Sequence, residues 1–376
     1  IARRGSSIAD DRRRVLAHWE RRARELAPES LALLDQVPPH AYKVLVRTRE
    51  LGGFFHVRLF EEMLDSIKYP DRKYAREILA GLNVAGPVTP SGVWPAELDP
   101  EKSGRPKQTI EQVLARAWEY RAKIRTMDAT QASQTILEDT IQEIKMGYCD
   151  GIQVKHEGGT HTRCMTEAEV TEALGTDCWI PIRRFGVVQK NKIRDVDDAS
   201  DNSINATSSR PEKLQISSVD RIMALVRAWS SVDPESETGA WALDEFKAYR
   251  QIPVALDQRH LSVVAVVNPN PDSEGNLRTV TEYVIMNGHC FGYTNAVYNY
   301  CRRPLAVRKL LQRIFWIATD DYVDDRWAIE PMYSIGSSFR TSSRVFFLSG
   351  IPTVDDKAQG PPERLDRKDP TAAPWS

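Results

Sequence analysis

The chain has 376 residues, 41% of them hydrophobic, and a formal net charge of −1. That length allows about two to three domains with real cores, and the balanced charge excludes a protein that holds nucleic acid through its overall charge. No apolar run approaches the roughly 18 residues of a membrane helix, and no secretory signal is visible, so no membrane partner is expected.

Residues 1–80 read as helices: an Arg-rich segment from Ile8 to Leu26, an amphipathic one from Phe54 to Ile67, and one from Asp71 to Ala80 stopped by Gly81. The Pro/Gly-rich stretch 86–107 reads as a linker or as an extended wrap over a surface. Two more helices follow, from Thr109 to Arg125 and from Ala129 to Met146. Residues 1–137 thus form a helical N-terminal region that carries no nameable chemistry. A brace, an interaction module or a polyprotein element all fit it. The first residue is Ile1 rather than Met, which reads as a piece of a longer polyprotein. Further on, Thr166-Glu167-Ala168-Glu169 is a capping box opening a short helix that ends at Gly175.

Residues 181–194 hold five basic residues and no acid, arranged as apolar strand, short polar turn and second strand. A basic hairpin tip suits phosphates, with Arg194 able to bind in a fork and Lys190 acting as a point charge. A helix is expected from Ser218 to Val232. The apolar strand Trp241-Ala242-Leu243 then ends in Asp244, with Glu245 and Phe246 directly after it and Tyr249 beyond a tight turn. Leu261 to Val267 and Thr279 to Met286 read as a hairpin around a polar loop.

Phe291-Gly292 precedes a helix from about Asn295 to Ile314. Gly292 permits close backbone approach to a nucleotide or template. The helix carries Arg302, Arg303, Arg308, Lys309 and Arg313 with no acid between 301 and 313, a face suited to a phosphate backbone or to plain solvent. Tyr322-Val323-Asp324-Asp325 places two acids at a turn, and Trp327-Ala328-Ile329 supplies a returning strand. Asp-Asp pairs also occur at Asp10-Asp11, Asp197-Asp198, Asp320-Asp321 and Asp355-Asp356, and each alone reads as a loop or a cap. A register that makes Asp320-Asp321 the functional pair stays open, although the returning strand favours Asp324-Asp325. Val345 to Gly350 reads as a buried strand leading to Lys357, and 361–376 as a disordered tail.

Four ordered blocks carry a family resemblance: 183–205 with its basic hairpin, 242–254 around Asp244, Phe291-Gly292-Tyr293-Thr294-Asn295-Ala296-Val297, and Tyr322-Val323-Asp324-Asp325. Over about 138–360 the chain resembles the reverse transcriptases (RNA-directed DNA polymerases) of DIRS-type and long-terminal-repeat, gypsy-like retrotransposons. The resemblance implies an α+β fold, a right-hand polymerase with fingers and connecting helices at 138–240 and an antiparallel palm sheet with packed helices at 241–360. The thumb would be truncated. It assigns Asp244, Asp324 and Asp325 to two Mg²⁺ ions, with Mn²⁺ as a substitute, and Lys190 and Arg194 to the incoming triphosphate. Tyr249, Phe291 and Gly292 would shape the nucleotide pocket, Tyr249 as a steric gate selecting deoxynucleotides, and Lys357 would meet the departing pyrophosphate. The implied partners are an RNA or DNA template with primer, deoxynucleoside triphosphates and other parts of a retroelement polyprotein.

Two other classes compete. A decayed or domesticated retroelement piece would bind nucleic acid or protein without polymerising. An RNA-dependent RNA polymerase shares the palm chemistry, but Tyr249 and the Tyr-Val-Asp-Asp form disfavour it. The five cysteines contain no Cys-x-x-Cys pair, which fits a reducing intracellular setting, cytoplasm or nucleus. Cys149, His156, His161 and Cys164 could offer a zinc set, although their spacing matches no zinc module and a plain loop is favoured.

Overall fold

Val263–Asn268 is an almost uninterrupted run of small and β-branched apolar residues, and it forms a strand buried on both faces. That is the pattern of an interior strand rather than a half-exposed one. It lies parallel to Pro181–Gln189 on one side and antiparallel to Val280–Met286 on the other. Lys192–Asp198 and the short strand Cys149–Asp150 complete the two edges of this five-stranded sheet. The computed structural model describes residues 5–48, 53–156, 159–189, 192–269, 280–354 and 357–360. The turn holding Lys190 and the tail from 361 therefore lie outside the described residues.

A second sheet has three antiparallel strands, Thr319–Tyr322, Asp325–Pro331 and Thr238–Asp244, with Asp325–Pro331 in the middle. The helix Met332–Leu348 packs on this sheet, and the first helix, Gly5–Leu34, packs in turn on Met332–Leu348 and on Val57–Ser66. The architecture is α+β. Among the described residues no helix is long and apolar enough to cross a membrane.

The expected helices form with small shifts at their ends. Val57–Ser66, Ser133–Lys145, Val219–Val232 and Thr294–Ile314 all appear. The capping box at Thr166 and Glu169 closes with both reciprocal hydrogen bonds, and Gly175 ends that helix in the left-handed conformation. Thr109 to Arg125 divides into two helices, Ile110–Leu114 and Ala117–Ile124.

One element changes type. Val345 to Leu348, expected as a strand, is the last turn of the helix Met332–Leu348. A run of four apolar residues has no period of its own, so the preceding helix decides its conformation.

The stretch 86–107 is the wrap and not a free linker. Val88 N–H donates to Ser209 O at 2.9 Å and Glu97 N–H to Pro211 O at 2.9 Å, while the Glu212 carboxylate accepts from the backbone of Ser91 and Gly92. Trp19, Phe60, Val113 and Leu137 belong to one hydrophobic cluster with Leu243, Leu310 and Phe346. The N-terminal region therefore shares its core with the segment that carries Asp244 and Asp324.

Candidate functional site

The acidic hairpin is built from a strained turn. Tyr322 pairs with Asp325, leaving Val323 and Asp324 as the connection. Val323 has φ +57°, which is rare for a β-branched side chain. Such strain, about 1–3 kcal/mol, persists where surrounding contacts enforce it. Here Val323 packs against the core, and Asp324 O accepts a hydrogen bond from Glu245 N–H at 3.2 Å.

Asp325 is the register partner of Asp244 on the neighbouring antiparallel strand. Residues opposed in this way point to the same face with Cβ atoms about 4.5–5.5 Å apart, and like charges so placed repel. Burial, then repulsion from Asp325, Asp244 and Glu245, pushes the Asp324 carboxyl up to about 6. Asp325 is also raised, by burial and by Asp244, with Lys357 opposing.

The Lys357 ammonium bonds to Asp244 Oδ2, and this pairing in turn raises the Lys357 amine. Among the described residues no three His, Cys, Asp or Glu side chains form a ready-made metal cage. Carboxylate oxygens are hard donors of the kind divalent cations take; here burial and mutual repulsion raise Asp324 and Asp325, and the Lys357 ammonium sits on Asp244.

Asp244 and Asp324 open onto a cleft of about 450 Å³ lined also by Arg194, Tyr249, Phe291 and Lys357. Its size lies in the range of small-molecule sites, about 300–1,000 Å³. Tyr249 lies on Tyr300 with centroids 4.8 Å apart and meets Phe291 edge to face at 5.0 Å. Burial raises the Tyr249 hydroxyl. Phe291 is 61% exposed and offers its ring at the cleft.

A buried ion network fixes the basic hairpin against the turn that follows Asp244. Arg184 bonds Asp197 at 2.7 Å and Glu143 at 3.1 Å, while Arg250 bonds the same two acids at 3.0 Å each. Lys247 adds a third cation to Glu143. Burial alone would raise the Glu143 carboxyl, but Arg250, Arg184 and Lys247 hold it well below its ordinary range. Asp197 is likewise held at about 2 against burial, chiefly by Arg184 and Arg250. None of these roles emerged from the sequence. The available signal was alternation: Ile182 and Arg184 both occupy the buried face of one strand, and an arginine there requires a buried acid.

Of the basic face expected on Thr294–Ile314, Arg302, Arg303 and Arg308 are internal, while Arg313 is exposed. Arg302 is bound by Asp71 and Glu77, Arg303 by Glu245, and Arg308 by Asp320 and Asp321, all with little solvent access to the guanidinium. Lys309 is half-buried, donates to Gln312 at 3.5 Å, and is lowered by burial and by Arg308. Arg302, Arg303, Arg308 and Lys309 were expected to meet a phosphate backbone; the three arginines instead neutralise interior acids, including Glu245 beside Asp244. The same pairing bears on the alternative acidic pair. Asp320 and Asp321 turn toward Arg308, Arg221 and Arg326 and away from the cleft.

Gly292 permits a close approach, but to protein. A Cβ there would lie 1.6 Å from Asp197 O. Of the zinc set, Cys149 and Cys164 are buried free thiols, His161 is exposed opposite Val154, and the His156 side chain lies outside the described residues; the segment expected as a plain loop forms a hairpin of Ile152–His156 with Gly159–Arg163. Burial pushes the Cys164 thiol up to about 12. No protein-family model matches the chain, and no curated protein is significantly similar to it.

Proposed function

We propose that the chain is an RNA-directed DNA polymerase of the retroelement type, adding deoxynucleotides to a primer 3′-hydroxyl at the cleft between Asp244, Asp324 and Arg194. The observation that supports this most strongly is the register pairing of Asp244 with Asp325 beside the strained turn at Val323, with Asp244 and Asp324 lining a cleft that Arg194, Tyr249 and Phe291 also line. In this reading the two strands and the fingers hairpin form palm and fingers.

Asp244, Asp324 and Asp325 would hold two Mg²⁺ ions, which when bound supply charge neutralisation to the attacking and leaving oxygens. The chain's own part is positioning and electrostatics, as in other phosphoryl transfers. Arg194, exposed on the second strand of the hairpin, binds the triphosphate in a fork. Tyr249, held by Tyr300 and Phe291, presents a rigid aromatic edge to the sugar and disfavours a 2′-hydroxyl. Lys357, on the Asp244 side of the cleft, is within reach of the departing pyrophosphate once a metal replaces it on Asp244.

Primer extension tests the reading, with RNA and DNA templates, Mg²⁺ or Mn²⁺, and deoxy- or ribonucleotides. The reading expects deoxynucleotide addition on an RNA template, lost in Asp324→Asn. Ribonucleotide preference would reassign the protein to the RNA polymerases. Template binding without extension would favour the non-polymerising retroelement piece.

A further inference from the structure

The first helix carries an arginine where its apolar stripe faces the core. Trp19, Ala23, Leu26 and Leu34 are the buried residues of that stripe, and Arg12, one heptad before Trp19, is 1% exposed. Its guanidinium reaches both ends of the acidic hairpin. It forms a fork with Glu330, with Nη1 to Oε2 at 2.9 Å and Nη2 to Oε1 at 2.7 Å. Glu330 lies at the far end of the strand that begins with Asp325.

Arg12 Nε and Nη2 also donate to the carbonyls of Phe315 and Trp316 at 2.9 Å each, and Nη1 donates to Ser334 O and Ser337 Oγ. Phe315 and Trp316 form the bend that leads into the other hairpin strand, Thr319–Tyr322, and Trp316 is held at φ +54°. Glu330 completes the clamp by accepting from Ala318 N–H at 3.1 Å and from Ser334 Oγ.

From this geometry we propose that Arg12 is a positioning residue for the acidic hairpin: one side chain from the N-terminal helix staples the base of both hairpin strands and so fixes the turn that presents Asp324 and Asp325. All of its donors are engaged and the strained bend at Trp316 is held by one of them, which is how surroundings over-determine an unfavourable backbone. The proposal gives residues 1–137 a part in the site, and in its metal consequence it rests on the two-metal reading above.

The test uses the full chain with Arg12→Lys and with the pair Arg12→Ala/Glu330→Gln, in which no buried carboxylate is left uncompensated. Hydrogen exchange is followed in the hairpin 319–330 and in the reference strands 263–268 and 280–286, alongside Mn²⁺ affinity by electron paramagnetic resonance. The clamp predicts at least tenfold faster exchange in the hairpin alone and roughly tenfold weaker Mn²⁺ binding in the pair variant, with Arg12→Lys intermediate in both.

Unchanged hairpin exchange, or an equal rise in both sheets, overturns the clamp. Local acceleration with unchanged Mn²⁺ affinity overturns its role in positioning the acids. A wild-type chain that binds no Mn²⁺ contradicts the two-metal reading itself, and the exchange data then decide the clamp separately.

Discussion

Asp244 and Asp325 face each other as register partners on neighbouring antiparallel strands, and the Lys357 ammonium sits on Asp244. Two like charges in that relation repel, and the pairing of Thr238–Asp244 with Asp325–Pro331 holds them together. In the two-metal reading proposed above, bound cations would relieve that repulsion.

The pH dependence of stability has a defined sign. Burial, then repulsion from Asp325, Asp244 and Glu245, raises the folded Asp324 carboxyl from 3.8 to about 6. Between those values the folded chain binds more protons than the unfolded one, so metal-free stability falls as pH rises from about 4 to about 6. Asp324→Asn removes that loss and stabilises the metal-free chain at neutral pH by about 1–2 kcal/mol, allowing for solvent screening. Asp195, pushed up to about 6 by burial, leaves a residual slope. Urea unfolding of both proteins across this pH window measures the difference.

Lys357 competes with a metal for Asp244. Losing an ion pair with one exposed partner is worth about 0.5–1 kcal/mol. Lys357→Met should therefore tighten Mn²⁺ binding about two- to fivefold, read by calorimetric titration. Unchanged or weaker binding would show that the ammonium does not compete.

Gly292→Ala should fail through the fold. The added methyl meets Asp197 O, a backbone atom of the basic hairpin, and overpacking of this kind costs about 1–3 kcal/mol or more. Thermal unfolding with and without nucleotide checks this. The expected result is a lowered Tm of similar size in both conditions, whereas a defect confined to nucleotide affinity would return Gly292 to the binding surface.

What could be read from the sequence was local. The hairpins, the capping box at Thr166 and the strand ending in Asp244 each depend on residues near in sequence, where period and turn chemistry decide. The fate of the arginines was not readable, because their partners are distant in sequence: Arg302 meets Asp71, Arg303 meets Glu245, and Arg12 meets Glu330. Arg12 sits within Arg12-Arg13-Arg14, and only its place on the buried stripe distinguishes it from its two exposed neighbours. The carboxylate set came from the family resemblance rather than from a local pattern, and the structure pairs Asp244 with the distant Asp325 across neighbouring strands.

The internal arginines make a prediction about salt. A phosphate contact adds about 0.9 to the slope of log affinity against log salt. Arg302→Gln should leave that slope unchanged for a primer–template duplex while lowering stability by about 3–5 kcal/mol, since it leaves the buried Asp71 unpaired. Fluorescence anisotropy across salt concentrations checks the first half and urea unfolding the second. A slope reduced by about one unit would place Arg302 on the nucleic acid after all.

The central claim is that Asp244, Asp324 and Asp325 act together on divalent cations. Its most direct test is a titration of Mn²⁺ followed by electron paramagnetic resonance, with a deoxynucleoside triphosphate present, on the wild-type chain and on Asp325→Asn. The account predicts two Mn²⁺ ions per wild-type chain and at least tenfold weaker binding in the variant. Equal binding by both proteins, or none by the wild type, would contradict it.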